Sequence, residues 1–544
     1  ICACLVGSEM CIRDRSNIAE LKERTMKRSK RLLAFVLTLV MALSVALSGC
    51  SGDKKGDSSN QSDASSKEPT YGGSVVVGIQ QDIDSLDPHK ATAAGTKEIL
   101  FNIFEGLVKP DENGNLIKAV ASDYKVSDDG LVYTFTIRDG TKFHNGNAVT
   151  AEDVKYSLDR ASGLLDGNAL ITALKKISAV NIVDDRTVEV TLASADTEMI
   201  YNFTAAIIPK PADGTQADAG KPVGTGPFKF VSYTPQESII LTKNEDYWQN
   251  GLPYLDEVKF KIVSGTDTAL LELKGGSIDM YPYLTDSQAE ELKSTYDIEY
   301  AISDVAQALF LNNAEAPFDN EKVRQAVACA LNKDEINQFV AGGKSAVINS
   351  AMLPTIKNYY VDTNSYNSYN VSRAKQLLAE AGYPNGFDMT IKVPSNYTFH
   401  METAQVVAEQ LKEAGINAKI EGIEWSSWLS DVYANRDYQA TICALTADLT
   451  PSSLLVRFTS GYLKNFVNFS DAEYDKVYAE AQASLDDNVR KEKYAKLQQI
   501  LAEKEGSVFI QAAALLVAKN KNLAGYKFYP VYVQDMSTVY YIKK

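Results

Sequence analysis

Between Phe387 and Ile423 the chain reads as strand, helix, strand. Phe387–Val393 is rich in apolar and β-branched residues, and Ala418–Ile423 repeats that character. A helical stretch, Glu402 to Ala414, stands between them and is stopped by Gly415. Two strands joined by a helix of that length cannot close as a hairpin. They suit a βαβ crossover with parallel strands. Further strand-like runs lie at Val75–Ile79, Leu131–Ile137, Thr187–Leu192, Ile239–Thr242 and Val258–Val263. Tyr133-Thr134-Phe135-Thr136-Ile137 alternates apolar and polar, as a half-buried strand does. The mixture indicates an α/β body. The 544 residues leave room for two to four domains at roughly 150 residues each, so more than one lobe is expected.

Helices carry their own punctuation. Thr150 precedes Ala151-Glu152-Asp153, a capping-box-like start with acids near the positive helix end. Val323, Ala326, Val327, Ala330 and Leu331 form one apolar stripe. Lys375 to Ala381 stops at Gly382, with Pro384 just beyond.

The N-terminal region sets the compartment. Met26-Lys27-Arg28-Ser29-Lys30-Arg31 is followed by an apolar run, Leu32 to Leu47, and then Ser48-Gly49-Cys50. A basic start, a short apolar stretch and small residues before a cut describe a secretory signal. The run is also short for a membrane span, which needs about 20 residues. Leu47-Ser48-Gly49-Cys50 resembles the bacterial lipobox, which implies that Cys50 becomes the mature N-terminus and carries the lipid. Residues 1–25 are expected to be a gene-model artefact and 26–49 the lipoprotein signal peptide. Residues 50–71, almost without aliphatic side chains before Tyr71, form a flexible tether.

Composition removes several classes of function. The chain carries a net charge of −15, and its first 49 residues are basic, so the body is more acidic still. That argues against nucleic acid, which requires a basic footprint. The cysteines, Cys2, Cys4, Cys11, Cys50, Cys329 and Cys443, include no CxxC pair, and the three histidines show no HExxH spacing. No metal site and no cofactor are expected. Cys329 and Cys443 read as small buried hydrophobes. Without a GxSxG or Walker motif, catalysis is not expected. Gly224-Thr225-Gly226-Pro227 lacks the pattern of a phosphate loop and reads as a tight hinge or turn. His144 reads as structural.

Several segments carry a likeness to a known family. They are Leu86-Asp87-Pro88, Phe104-Glu105-Gly106-Leu107, Tyr133 through Gly146 and Val149 through Arg160. After these come Gly224 through Phe228, Asn244 through Trp248, Gly276 through Asp279, Pro317 through Asn320 with Val323 through Ala326, and Ala379 through Pro384. Any one is weak, but all stand in one order. The chain resembles the extracellular solute-binding proteins, family 5, that serve oligopeptide, dipeptide and nickel importers.

The resemblance implies a periplasmic-binding-protein-like type II fold, with two lobes, a hinge and an extra subdomain in the first lobe. The expected division is 72–305 with 510–544 for lobe I, an extra subdomain near 105–205, and 306–509 for lobe II. It implies a lipoprotein that captures short peptides between the lobes and passes them to the permease and ATPase subunits of an ABC importer. The protein is expected to be a monomer on the outer face of the cytoplasmic membrane. An oligosaccharide, chelated nickel or a signalling peptide would fit the same fold.

Ala447-Asp448-Leu449-Thr450-Pro451 resembles the family stretch whose Asp pairs with a peptide's α-ammonium, which makes Asp448 the candidate anchor. A carboxylate in a closed cleft forms a strong charge-assisted hydrogen bond to such a group. The alternative reading of Asp448 is an N-cap, since Pro451 follows near a helix start. Leu445 and Ala447 flank it in the candidate site. Leu445 stands where the family often has Trp, Leu449 where it has Tyr, and Ile442 where some members have Arg. Trp425 and Trp428 are candidate pocket walls or lobe core. Arg373, Arg436 and Arg457 are the candidates for holding a ligand carboxylate.

Overall fold

The computed structural model describes residues 68–91, 93–211, 220–263 and 265–543. The signal peptide, Cys50 and nearly all of the tether lie outside the described residues.

Local patterning becomes structure first in the small subdomain. Val132–Ile137 buries Tyr133, Phe135 and Ile137 and turns the threonines outward. It lies between Ala121–Val126 and Thr187–Leu192, with Ile177–Asp184 at the edge, in a four-stranded antiparallel sheet. The helix Ala151–Ser162 covers this sheet. Thr150 and Asp153 close a reciprocal capping box at its start, and Gly163 ends it at φ 91°. Phe135 and Phe203 meet edge to face at 4.8 Å in the core between them.

The main body is built on an eleven-stranded sheet among the described residues. At one end Phe387–Pro394 runs parallel to Ile416–Ile423 and to Ala440–Thr446, joined by the helix Thr398–Glu413. This is the βαβ unit read from the sequence. At the other end Ser74–Ile79 runs parallel to Glu257–Ile262, followed by the antiparallel strands Ser238–Lys243 and Phe228–Thr234. The helix Glu321–Cys329 buries Val323, Ala326 and Val327, with Ala330 and Leu331 buried just beyond it.

Two long antiparallel strands, Tyr296–Leu311 and Val508–Asn520, join these ends. Tyr296–Ile302 pairs with Ala514–Asn520 over one core, and Ala306–Leu309 pairs with Val508–Ala512 over another. Between the two halves Ser303, Asp304 and Val305 stand opposite Ala513 alone. Such a bulge bends and twists a strand pair. The Ser303 hydroxyl fastens it by donating to the Ala513 carbonyl at 2.8 Å. The ladder is therefore interrupted at 303–305 opposite 513, close to the two chain crossings expected between the lobes. The C-terminal segment returns to lobe I, where the Asn102 side chain bonds the Gln534 carbonyl and the Met536 N–H.

Gly224 and Gly226 have a different purpose from the turn expected of them. A Cβ on Gly224 would lie 2.0 Å from the Ile103 carbonyl oxygen, and one on Gly226 would lie 2.6 Å from that of Asn102. The pair lets two backbones cross, bonded from the Gly226 N–H to the Ile103 carbonyl at 2.9 Å. Gly224→Ala is expected to cost about 1–3 kcal/mol through overpacking. Urea unfolding measures this, and an unchanged midpoint would show that the crossing relaxes freely.

Candidate functional site

The cleft between the lobes holds three adjoining cavities of about 960, 550 and 280 Å³. The two larger share Asp304 and residues 531–533. The two smaller share Tyr201, Asp448 and Leu449. Lobe I contributes the helix Ala94–Leu100 with the segment after it, Tyr201–Ala206, and the C-terminal segment. Lobe II contributes Thr446–Thr450 and, at the smallest cavity, Thr355–Tyr359.

Asp448 follows the strand Ala440–Thr446 and is exposed to the cleft. Its carboxylate accepts the Thr450 N–H at 2.8 Å, and its own N–H reaches the Ser453 hydroxyl at 3.4 Å. It thus braces the following turn while lining two cavities. Among the described residues no lysine or arginine pairs with it. Ala447 lines the 550 Å³ cavity, and its N–H donates to the Asp304 carbonyl at 2.8 Å.

The other sequence candidates lie elsewhere. Leu445 is buried in the lobe II core. Trp428 is buried there too, with its indole N–H on the Thr441 hydroxyl at 2.9 Å. Trp425 stacks on Trp428 with centroids 5.0 Å apart and meets Tyr397 edge to face. None of these three lines any of the three cleft cavities. Their apolar surface is used for packing the lobe. Arg373 approaches Glu380, Arg436 the Leu463 carbonyl and Arg457 the Tyr433 hydroxyl, all away from the cleft.

The structure supplies cations that the sequence reading passed over. Lys97 is exposed on the 550 Å³ cavity. Lys109 lines it as well but is buried, bonded to Glu105 and to the Tyr247 hydroxyl at 2.9 Å each. That pairing makes Lys109 part of the scaffold. Two further acids also escaped notice. Asp304 is only 4% exposed, and burial pushes its carboxyl up to about 6. Glu98, bonded to the Tyr283 hydroxyl, is pushed up to about 7, chiefly by burial. A lone acid in the apolar run Ala301–Leu311 was the available signal for Asp304.

Contacts across the cleft hold the lobes together. Glu198, from the subdomain of lobe I, is buried against lobe II. It accepts the Ser452 N–H at 3.1 Å, the Ser452 hydroxyl, and the Tyr494 hydroxyl at 2.8 Å. Burial raises its carboxyl above the ordinary range. On the other side Lys344 of lobe II pairs with Asp286 of lobe I.

A family model described as bacterial extracellular solute-binding proteins, family 5 Middle, matches residues 115–465. The chain belongs to this family. Its work is therefore solute binding rather than catalysis. It is 30% identical to the oligopeptide-binding protein AppA of Bacillus subtilis, over 93% of this chain and 97% of that protein. It is 28% identical to the glutathione-binding protein GsiB of Pectobacterium atrosepticum, over 84% and 92% of the two chains. The solved structure of Bacillus subtilis AppA in complex with a nonapeptide superposes with a TM-score of 0.70 at 27% identity, covering 88% of this chain and all of that one. The fold is thus the type II binding-protein fold, with two lobes, a hinge and an extra subdomain in lobe I. No helix among the described residues is long and apolar enough to cross a membrane.

Glu198→Ala removes the acceptor of three hydrogen bonds that span the cleft. It should weaken the closed form and lower stability by about 1–3 kcal/mol, because the Ser452 and Tyr494 donors lose a buried partner. Solution X-ray scattering of the ligand-free protein should show a larger radius of gyration. An unchanged radius and melting curve would mean that this contact does not hold the lobes together.

Proposed function

We propose that the cleft captures short peptides, that Asp448 receives their α-ammonium group, and that the protein delivers them to the permease and ATPase subunits of an ABC importer. The observation that carries the reading is the place of Asp448. It is a carboxylate with no cationic partner among the described residues, at the junction of two cavities between the lobes. The names of the relatives support peptides as the solute class. An extended ligand suits a row of adjoining cavities, since backbone hydrogen bonding gives affinity without fixing side chains. Lys97, on the same cavity as Asp448, is the cation suited to the ligand's carboxylate. Ligand bound to both lobes favours closure because only the closed form offers both sets of contacts.

Calorimetric titration with tri- to nonapeptides tests the anchor. Asp448→Ala should weaken binding about ten- to a hundredfold, the consequence of losing a hydrogen bond to a charged group. N-acetylation of the peptide should weaken binding to the unaltered protein similarly, with little further loss in the variant. Equal binding of free and acetylated peptides would remove Asp448 from this role. The glutathione-binding relative supports a narrower reading. Glutathione also carries a free ammonium group, and it belongs in the same titration.

Cys50 lies outside the described residues, and its lipid is part of this proposal. Two acyl chains on one residue give stable attachment where one gives marginal attachment. In cells, Cys50→Ala should move the protein from the membrane fraction to the soluble extracytoplasmic fraction, as read by fractionation and immunoblot. Continued membrane retention would point to the apolar segment 32–47 as the anchor.

A further inference from the structure

The largest cavity has a composition that the α-ammonium site does not use. Six of its lining residues are carboxylates and none is lysine, arginine or histidine. Two of the six are neutralised by pairing, Asp286 with Lys344 and Glu291 with Lys274. Asp267 accepts a hydrogen bond from Gln288. Glu98 and Asp304 are buried, and among the described residues neither has an ion-pair partner.

Asp304 is the more telling of the two. Its Oδ2 is buried and has no hydrogen-bond partner among the described residues. A buried carboxylate oxygen left in that state is costly. The bulge does not need the side chain, because Ser303 fastens it to Ala513 and the Asp304 carbonyl is held by the Ala447 N–H. A small neutral residue would keep both contacts without the penalty. What would offset the penalty is a cation arriving from the cavities that Asp304 lines.

We propose that the 960 Å³ cavity is a side-chain subsite for a lysine or arginine of the bound peptide, with Glu98 and Asp304 receiving the charged group. The subsite rests on the peptide-capture reading and extends it to a ligand class. Tyr283 and Tyr532 stack at 5.8 Å within its wall, and Tyr526 lines it as well. Aromatic faces beside carboxylates are the surroundings that stabilise an ammonium or guanidinium group. The two cavities adjoin. Asp304 and residues 531–533 line both this cavity and the one where Asp448 stands. A peptide held at Asp448 can therefore send a side chain past the bulge.

The protonation behaviour fits. Glu98 faces Tyr283, Tyr526, Tyr532 and Gln534, with Asp304 as the nearby acid and Glu299 acting on Tyr526 beside them. Lys97, next to Glu98 in the helix, lines the smaller cavity instead. With carboxyls raised to about 7 and about 6, the empty subsite loses its charge as pH falls through that window. A cation would favour the ionised forms, so its binding should release protons and weaken as pH falls.

The test compares tri-alanine with tripeptides carrying lysine, or its uncharged analogue norleucine, at each position in turn. At one position lysine should bind roughly ten- to a hundredfold tighter than norleucine, the range of a charged hydrogen bond. That preference should shrink between about pH 8 and about pH 5. The double variant Glu98→Gln with Asp304→Asn should erase the preference, so that lysine and norleucine bind alike at that position. Norleucine matching lysine at every position would overturn the subsite and leave peptide capture standing. So would a double variant that keeps the preference, or one that loses tri-alanine as well, which would assign the acids to the shared site. Failure of all these peptides to bind would overturn peptide capture itself, and the subsite with it.

Discussion

The pairing of Tyr296–Leu311 with Val508–Asn520 is the constraint from which the rest of the molecule is arranged. Each strand serves two cores, so neither lobe has a sheet of its own that ends at the cleft. A continuous ladder would make one stiff slab of the two lobes. The three-against-one mismatch at Ser303, Asp304 and Val305 breaks it at the point where the cores part. A second slip follows between Gln307 and Ala308. There a buried set of side chains replaces regular pairing, with the Gln307 amide bonded to Gln511, Thr403 and His400. Hydrogen-bonded buried groups of this kind favour one geometry where apolar packing would tolerate several, although the Gln511 Oε1 has no partner among the described residues.

The same break accounts for the chemistry of the cleft. It brings an aspartate to the floor of a cavity and ties its backbone to Ala447, the neighbour of Asp448. The bulge and the lining of the 550 Å³ cavity are thus joined by one backbone hydrogen bond. The cross-cleft contacts work on the same equilibrium from the rim. Glu198 meets Ser452 four residues beyond Asp448, so the loop that lines two of the cavities also meets the opposite lobe.

Local features were legible in the sequence where a single segment contains its own reason. Val132–Ile137 alternates, Thr150 and Asp153 cap, and Phe387 to Ile423 spells a crossover. The helix Thr398–Glu413 starts earlier than expected because Tyr397 gives no side-chain cap to read. The helix Val371–Glu380 also starts early, and there the cap, Asn370, was readable. The cleft was less legible. Asp448 was found through its motif, and the structure puts it beside the cavities. Tryptophan and leucine serve cores and ligand walls equally well, so residue type could not separate Trp425, Trp428 and Leu445 from the cleft lining. Glu98 and Asp304 are far apart in sequence and come to one cavity only in the folded chain. Gly224 and Gly226 looked like a turn, since glycine at a backbone crossing leaves the same trace.

The order of the segments has a consequence for biogenesis. Two of the cores are drawn almost wholly from residues between about 303 and 513, within the chain that builds the other cores. Lobe I waits for Leu516, Val517 and Ala518 to complete its cores and for Gln534 and Met536 to reach Asn102. A chain emerging from its N-terminus can therefore complete the later-encoded lobe first. Through that interval Met280–Pro282 stands at an open sheet edge, without the strand that Val517–Lys519 later lays beside it.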